Sequence, residues 1–419
     1  MHKLSHPLTA RLILPVFLVA ASAGAPADVP PLFRPDAGSL LNQTTPPTVV
    51  PTLPSSTLPA LPDEDIVKTG PDGAKVKVTR FVLEGVSQLP PEQLQAALSD
   101  LIGQELGLSG LRKAAARITE IYREQGFFLA RAYLPAQDIA DGVVRIAVLE
   151  GRFGAVDSGG SPRLEQEHAQ GILEAHQVAA GQPIERSALE RSLILLEQRG
   201  GAPVQAVMQP GATVGTSHMV IETPAGPLFT GQLGVDNYGN RYSGQNRATA
   251  QLNLNSPRGV GDLASLWLMK SGDSDAFFAA YQTPVGYQGL TLGASYSRFN
   301  YQLCCEFAPL DQQGYAKVFG VQARYPLILS QRQIMNAGLA FERKHLNDSS
   351  ALGELADKDA NVFSVSLDGI AATASGQNRY QVALTSGDLN VSGPPAYVQA
   401  NAATVDTAGR YVKLRGEYQ

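Results

Sequence analysis

Tryptophan, cysteine and histidine are all scarce here: one, two and six residues in a chain of 419. The two cysteines, Cys304 and Cys305, are adjacent, so they build neither a disulfide scaffold nor, alone, a zinc site. A vicinal disulfide or no pairing at all are the options left. His168, His176, His218 and His345 are scattered, the first two on a helix that reads as surface, and none stands in a His-Glu-x-x-His frame. No serine occupies a Gly-x-Ser-x-Gly frame, and no Gly-rich loop ends in Lys-Ser or Lys-Thr. On these absences the chain is expected not to be an enzyme and to need no metal and no cofactor.

Charge is scarce as well. Charged residues make up 17% of the chain and the net charge is −5, which gives no electrostatic case for nucleic acid as a partner. Long apolar runs are limited to one. Leu12 to Ala21 follows Lys3 and Arg11 and precedes Ala25-Pro26-Ala27, and it is shorter than the roughly 20 residues a membrane-crossing helix needs. It reads as a secretory signal peptide over residues 1–27. With no second candidate helix, the mature chain is expected either to be soluble in an exported compartment or to cross a membrane as a β-barrel.

What the chain does have is proline, then helical periodicity, then strand periodicity. Residues 28–71 form a Pro-, Thr- and Ser-rich linker with too few large apolar residues to bury anything. Asp36 to Gln43 inside it could make a short helix, for which disorder is the better local expectation. From residue 72 a strand carrying Val76, Val78 and Val82 ends at Gly85. Pro90 and Pro91 open one helix, and Leu111, Ala115, Ile118 and Tyr122 mark a second that closes at Gly126. Two strands follow, Phe128–Leu134 and Val143–Leu149, around a turn containing Asp141 and Gly142. The same strand–helix–helix–strand–strand order recurs in residues 152–226: Phe153 to Val156, Leu164 to Val178, Glu185 to Arg199, Val204 to Met208 and Met219 to Glu222. An open edge strand in such a unit can accept an extended peptide.

From residue 227 onward the period becomes two. Arg247 to Leu254 alternates cleanly, with Ala248, Ala250, Leu252 and Leu254 on one face and Arg247, Thr249, Gln251 and Asn253 on the other. About ten such strands of about ten residues are legible. Short turns alternate with longer connections, among them Cys304 to Gly314, Asn347 to Asp359 and Asp388 to Asp406. That spacing favours an outer-membrane barrel with a wet lumen over a soluble β-sandwich.

Three stretches carry a resemblance to a known family. Gly126-Phe127-Phe128-Leu129-Ala130-Arg131-Ala132-Tyr133-Leu134-Pro135-Ala136-Gln137 with Glu150-Gly151 is similar to the end of a POTRA (polypeptide-transport-associated) domain. Asp236 to Gly244, DNYGNRYSG, is similar to a first barrel hairpin, and Asp36-Ala37-Gly38 with Leu40, Leu41 and Gln43 to a short helix that can lie in the pore. Residues 76–419 thus resemble the outer-membrane transporters of two-partner secretion, the haemolysin secretion/activation (ShlB/FhaC/HecB) family. The resemblance implies an α+β pair of β-α-α-β-β POTRA domains before an antiparallel transmembrane barrel of sixteen strands. The family's lumen-loop Val-Arg-Gly-Tyr or Val-Arg-Gly-Phe is missing, since Leu414-Arg415-Gly416-Glu417-Tyr418 places Glu417 at the aromatic position. With ten strands legible against sixteen, the C-terminal third is expected to be absent from this sequence.

The function expected is export of a secreted exoprotein, large and β-rich, across the outer membrane of a Gram-negative bacterium. The POTRA units would lie in the periplasm, and outer-membrane lipid would surround the barrel. The alternative is an assembly factor that inserts other outer-membrane proteins. Phe128, Arg131 and Tyr133 are the expected edge contacts for the cargo, although Phe128, Ala130 and Leu134 also fit a core. Arg247, Gln251, Asn253, Arg324, Glu342 and Arg379 are the expected pore-lining residues, solvated side chains of a soluble sheet being their other reading.

Overall fold

Two small units, each a three-stranded sheet with helices packed on it, lead into a single ten-stranded antiparallel sheet. The computed structural model describes residues 35–44, 52–56, 58–59, 75–374, 376–403 and 406–419. The signal peptide read over residues 1–27 lies outside the described residues, as does most of the linker.

Helix α1, Ala37–Asn42, comes first. The first unit comprises β1 (Val76–Lys77), β2 (Arg80–Glu84), α2 (Pro91–Ala96), β3 (Glu105–Leu106), α3 (Leu108–Glu124), β4 (Arg131–Tyr133) and β5 (Val143–Leu149), with β1 and β3 paired only with each other beside a three-stranded sheet. Its order is β2-β5-β4, with β2 parallel and β4 antiparallel to the central strand. Val144, Ile146 and Val148 alternate inward on β5 and meet Leu111, Ala115, Ile118 and Tyr122 of α3. Gly126 ends α3 at φ 94°, the left-handed geometry its sequence position called for. Gly142 turns at φ 72°, and a Cβ there would lie 2.2 Å from the Lys77 carbonyl oxygen.

Two details differ from the sequence reading. The first strand splits into β1 and β2, because Val78 exchanges backbone hydrogen bonds with the Gly103–Gln104 loop instead of continuing in the sheet. The strand read over Phe128–Leu134 contracts to Arg131–Tyr133, because Phe128 N–H and Ala130 N–H are turned back onto Gly126 and Phe127.

The second unit repeats the winding with β6 (Arg152–Ser158), α4 (Gln166–Ala175), α5 (Arg186–Gly200), β7 (Gln205–Pro210) and β8 (Thr216–Glu222), in the order β6-β8-β7. Its core of Leu189, Leu193, Leu196, Met219 and Ile221 extends beyond itself to Leu329, Ile334 and Ile370 of the large sheet. Arg191 of α5 donates to the carbonyls of Gln288 and Pro326, and Glu165 N–H donates to Gly259. His168 and His176, read as surface, are half-buried in this junction, His168 edge-on to Tyr287 and His176 beside Arg191. The linker is also drawn in: Leu53 and Leu58 pack on this core, against the expectation that it buries nothing.

The large sheet runs β9 (Phe229–Asp236), β10 (Arg247–Asn255), β11 (Leu263–Lys270), β12 (Ser274–Pro284), β13 (Thr291–Gln302), β14 (Gln313–Leu329), β15 (Gln333–Ser350), β16 (Gly353–Thr373), β17 (Gly376–Ser392) and β18 (Gly409–Tyr418), each pairing its sequence neighbour. Helix α6, Pro395–Ala403, lies between β17 and β18. All ten strands stand where the alternation places them, but four are far longer than ten residues. β14 to β17 have 17, 18, 21 and 17 residues, and the connection expected over Asn347–Asp359 is largely strand. Beyond the apolar belt both faces become polar, so the alternation fades while the ladder of hydrogen bonds continues. Leu414 to Tyr418 is strand, paired with β17.

The polar keystone of the first unit is Glu150. Its buried carboxylate accepts from Ser87 N–H at 2.6 Å, Gln88 N–H at 2.8 Å and Tyr122 Oη–H at 2.8 Å. Burial pushes this carboxyl up, but the hydrogen bonds from Ser87, Gln88 and Tyr122 outweigh it and hold it below its ordinary value. Burial and then Glu150 raise the Tyr122 phenol in turn. A carboxylate with depressed folded pKa contributes stability that is complete above its ordinary value near 4.5 and is lost as pH falls through the folded-state value. Glu150→Gln in residues 75–151 should therefore cost about 2 kcal/mol at pH 7. The gap in melting temperature between parent and variant should close on acidification below 4.5; a gap independent of pH would show that the charge is not what holds the Ser87 turn.

Candidate polypeptide-binding edge and lumen

β4 is an edge strand, and along it Arg131 and Tyr133 project outward while Ala132 is buried. Its backbone offers less than an edge position suggests. Ala132 N–H, the donor turned away from β5, is already taken by Thr119 Oγ1 of α3 at 2.9 Å. Phe128 requires a correction: it is not on the edge but 4% exposed in the core of the second unit, beneath the Arg186 guanidinium at 5.2 Å. Its aromatic surface is worth more buried between the two units than displayed in water. The longer edge is β7, where Val207 is half exposed and only β8 pairs. A groove of about 650 Å³, lined by Val156, Ser158, Gln170, Gln205 and Thr223, opens beside its first residue.

On the large sheet the apolar set of each strand is exposed on one face: Leu252, Leu268, Phe277, Tyr296, Phe319, Phe341, Val365 and Leu384. Arg247, Gln251, Asn253, Arg324, Glu342 and Arg379 all stand at the opposite parity, on the inner face. Three of the six are tied to the wall. Arg247 pairs with Asp236 at 2.8 Å, Arg324 with Asp368, and Glu342 with Lys344 at 2.8 Å.

The same face holds α1, where the local sequence favoured disorder. Leu40 is buried among Trp267, Met269, Phe299, Tyr301 and Leu346. Asp36 and Ser39 form a reciprocal cap, Asp36 Oδ2 meets Lys358 Nζ at 2.7 Å, and Ala37 N–H donates to Asp348 Oδ1 at 2.9 Å. Tyr301 donates to the same Asp348 carboxylate. At the far end Arg247 and Asn240 reach Gln43. A six-residue helix is marginal in isolation, and these tertiary contacts supply what local propensity cannot. Sequence reasoning missed Asp348 and Lys358 because they lie in the segment read as a loop; extending the strand parity through Asn347–Asp359 would have put both on the inner face. Further along, Glu197 of α5 accepts from Ser55 N–H at 3.0 Å and Ser56 N–H at 2.8 Å, and Gln331 Nε2 donates to Ser56 O at 2.9 Å, fixing the linker at the junction.

The ladder also gathers groups that looked unrelated. His345 lies 3.4 Å from Asp357 and 3.2 Å from Asp359 on the outward face. Cys304 and Cys305 are joined as a disulfide.

Comparison with known proteins agrees with this architecture. A family model for the ShlB-type POTRA domain matches residues 76–151, and one for haemolysin secretion/activation protein ShlB/FhaC/HecB matches residues 215–393. Both matched segments are thus of the ShlB type. The heme/hemopexin transporter protein HuxB of Haemophilus influenzae is 26% identical over 259 residues, covering 61% of this chain and 46% of that one. The outer membrane transporter CdiB of Escherichia coli is 25% identical over 233 residues, covering 55% and 38%. The chain thus spans about half the length, or less, of the curated relatives it matches. Among solved structures, CdiB from Escherichia coli superposes with a TM-score of 0.65 at 20% identity over 78% of this chain and 61% of that one. CdiB from Acinetobacter baumannii gives 0.58 at 16% over 81% and 70%. These two likenesses show the fold. The chain is an outer-membrane protein with its POTRA units on the periplasmic side.

The seat of α1 can be tested directly. Lys358→Met should weaken it by about 1 kcal/mol, the scale of a partly exposed charge-assisted hydrogen bond. Amide protons of residues 37–44 should then exchange about fivefold faster, with little further change when Asp36→Asn is added. Strictly additive losses in the double variant would show that Asp36 and Lys358 do not act as a pair.

Proposed function

We propose that the chain acts in two-partner secretion, capturing an unfolded exoprotein in the periplasm and passing it outward along the inner face of the barrel. The observation that carries this reading is the coupling of tandem POTRA units, one with a long free edge at β7, to the rim of a sheet whose polar face is turned inward. The cargo fitting a bare strand edge is an extended, β-prone polypeptide, bound first by backbone hydrogen bonds. Arg131 and Tyr133 add side-chain contacts, and Arg247, Gln251, Asn253, Arg324, Glu342 and Arg379 line the route. α1 occupies part of that route and leaves when cargo enters. The reading involves no catalysis: the driving force is binding followed by folding of the cargo outside.

The full chain should retain the N-terminal region of the exoprotein encoded in the neighbouring reading frame in a pull-down. Val207→Glu should weaken that binding about tenfold while leaving the melting temperature within a degree or two, since half-exposed positions tolerate charge. Arg131→Ala with Tyr133→Ala should weaken it less. Undiminished binding by both variants would remove the strand-edge model, and retention of barrel precursors instead of the exoprotein would favour the assembly-factor reading.

A further inference from the structure

Immediately above the apolar belt, at the end of the sheet away from the POTRA units, the outward face carries three cations on adjacent strands. Arg298 of β13 lies directly opposite Lys317 of β14, and Arg343 of β15 is diagonal to Lys317, two residues before its ladder partner His345. Tyr315 ties the group together, with Lys317 Nζ 4.6 Å and the Arg298 guanidinium 5.9 Å from its ring centre. Like charges directly opposite in a ladder repel, so this arrangement is costly unless an anion lies between them. No carboxylate among the described residues pairs with any of the three. The acids on this face are held by other groups: Asp275 by Asn300 and Lys270, and Asp357 and Asp359 by His345, so that Arg298 reaches an acid only through Asn300, whose Oδ1 accepts from Arg298 Nε at 2.9 Å.

The depth of the cluster says what meets it. Pro326 marks the periplasmic rim through its hydrogen bond from Arg191. The nine residues from there to Lys317 span roughly 30 Å of strand, or roughly 23 Å along the membrane normal at the usual barrel tilt. That matches the height of about 25 Å of the apolar band of an outer-membrane barrel. Just below the three cations, Tyr296, Phe319 and Phe341 are exposed at 40%, 50% and 40% and face acyl chains. We infer that Arg298, Lys317 and Arg343 form a built site for the phosphates of an outer-leaflet acyl glycolipid, whose chains lie on Tyr296, Phe319 and Phe341. The guanidinium groups suit multidentate phosphate recognition, and Lys317, held over Tyr315, supplies a fixed point charge. A headgroup anchored here would fix the level of the sheet in the bilayer.

The full chain, refolded in uncharged detergent, can be titrated with diphosphorylated lipid A and followed by native mass spectrometry. Lipid A should remain bound, its dephosphorylated form should bind at least roughly tenfold more weakly, and R298Q/K317Q/R343Q should lose a similar factor. Lys344→Gln, on the inner face, should not change binding. The single variant Lys317→Gln, about threefold weaker, keeps the test sound if the triple variant fails to give a β-sheet spectrum. Equal binding by Lys317→Gln and parent, equal binding of the dephosphorylated lipid, or inorganic phosphate binding as tightly as lipid A would each overturn the site.

Discussion

A strand crossing a hydrocarbon layer must find a partner for every backbone N–H and C=O, and from β10 to β17 that demand is met by a neighbouring strand on each side. The ladder from β9 to β18 follows from it. Once the ladder is in register, each strand has no choice but to send alternate side chains to lipid and to the interior. The apolar belt, the inner polar wall, the seat of α1 and the outer cation cluster are all readings of that single alternation at different heights. A slip of one residue would exchange them all.

The second POTRA unit is built into the rim of this ladder. Leu329, Ile334 and Ile370 complete its core, Arg191 ties it to two strand-turn carbonyls, and Arg199 lies buried against Gly261 with a hydrogen bond to Thr291. Burial pushes the Arg199 guanidinium down to about 10, which still leaves it charged at neutral pH. The first unit has a core of its own and joins the second through Phe128 under Arg186. Such a series, with a rigid joint at the membrane and a smaller contact further out, suits a receptor that hands an extended chain to a fixed entrance. The linker clamp at Glu197 stands at that same entrance, so the tether of α1 and the junction share residues.

Elements with a strong period were legible. β5 has the bounds read for it, and α3 buries Leu111, Ala115, Ile118 and Tyr122, the residues its periodicity selects. Legibility failed where local signal and tertiary demand diverge. β14 to β17 continue past their apolar segments because the hydrogen-bond ladder, not side-chain pattern, sustains them. Phe128 looked like part of an edge because its neighbours alternate, yet the turn at Gly126 drives it into a second core.

The sequence by itself determined the order of modules, the two faces of each strand and the class of partner a free strand edge admits, since periodicity and turn chemistry are properties of a few consecutive residues. It could not determine which distant residues meet. Asp36 and Lys358 are 322 residues apart, and Arg298, Lys317 and Arg343 come from three strands. Only the register between strands brings those groups within reach. Register is a collective outcome of the whole ladder, and no local pattern encodes it.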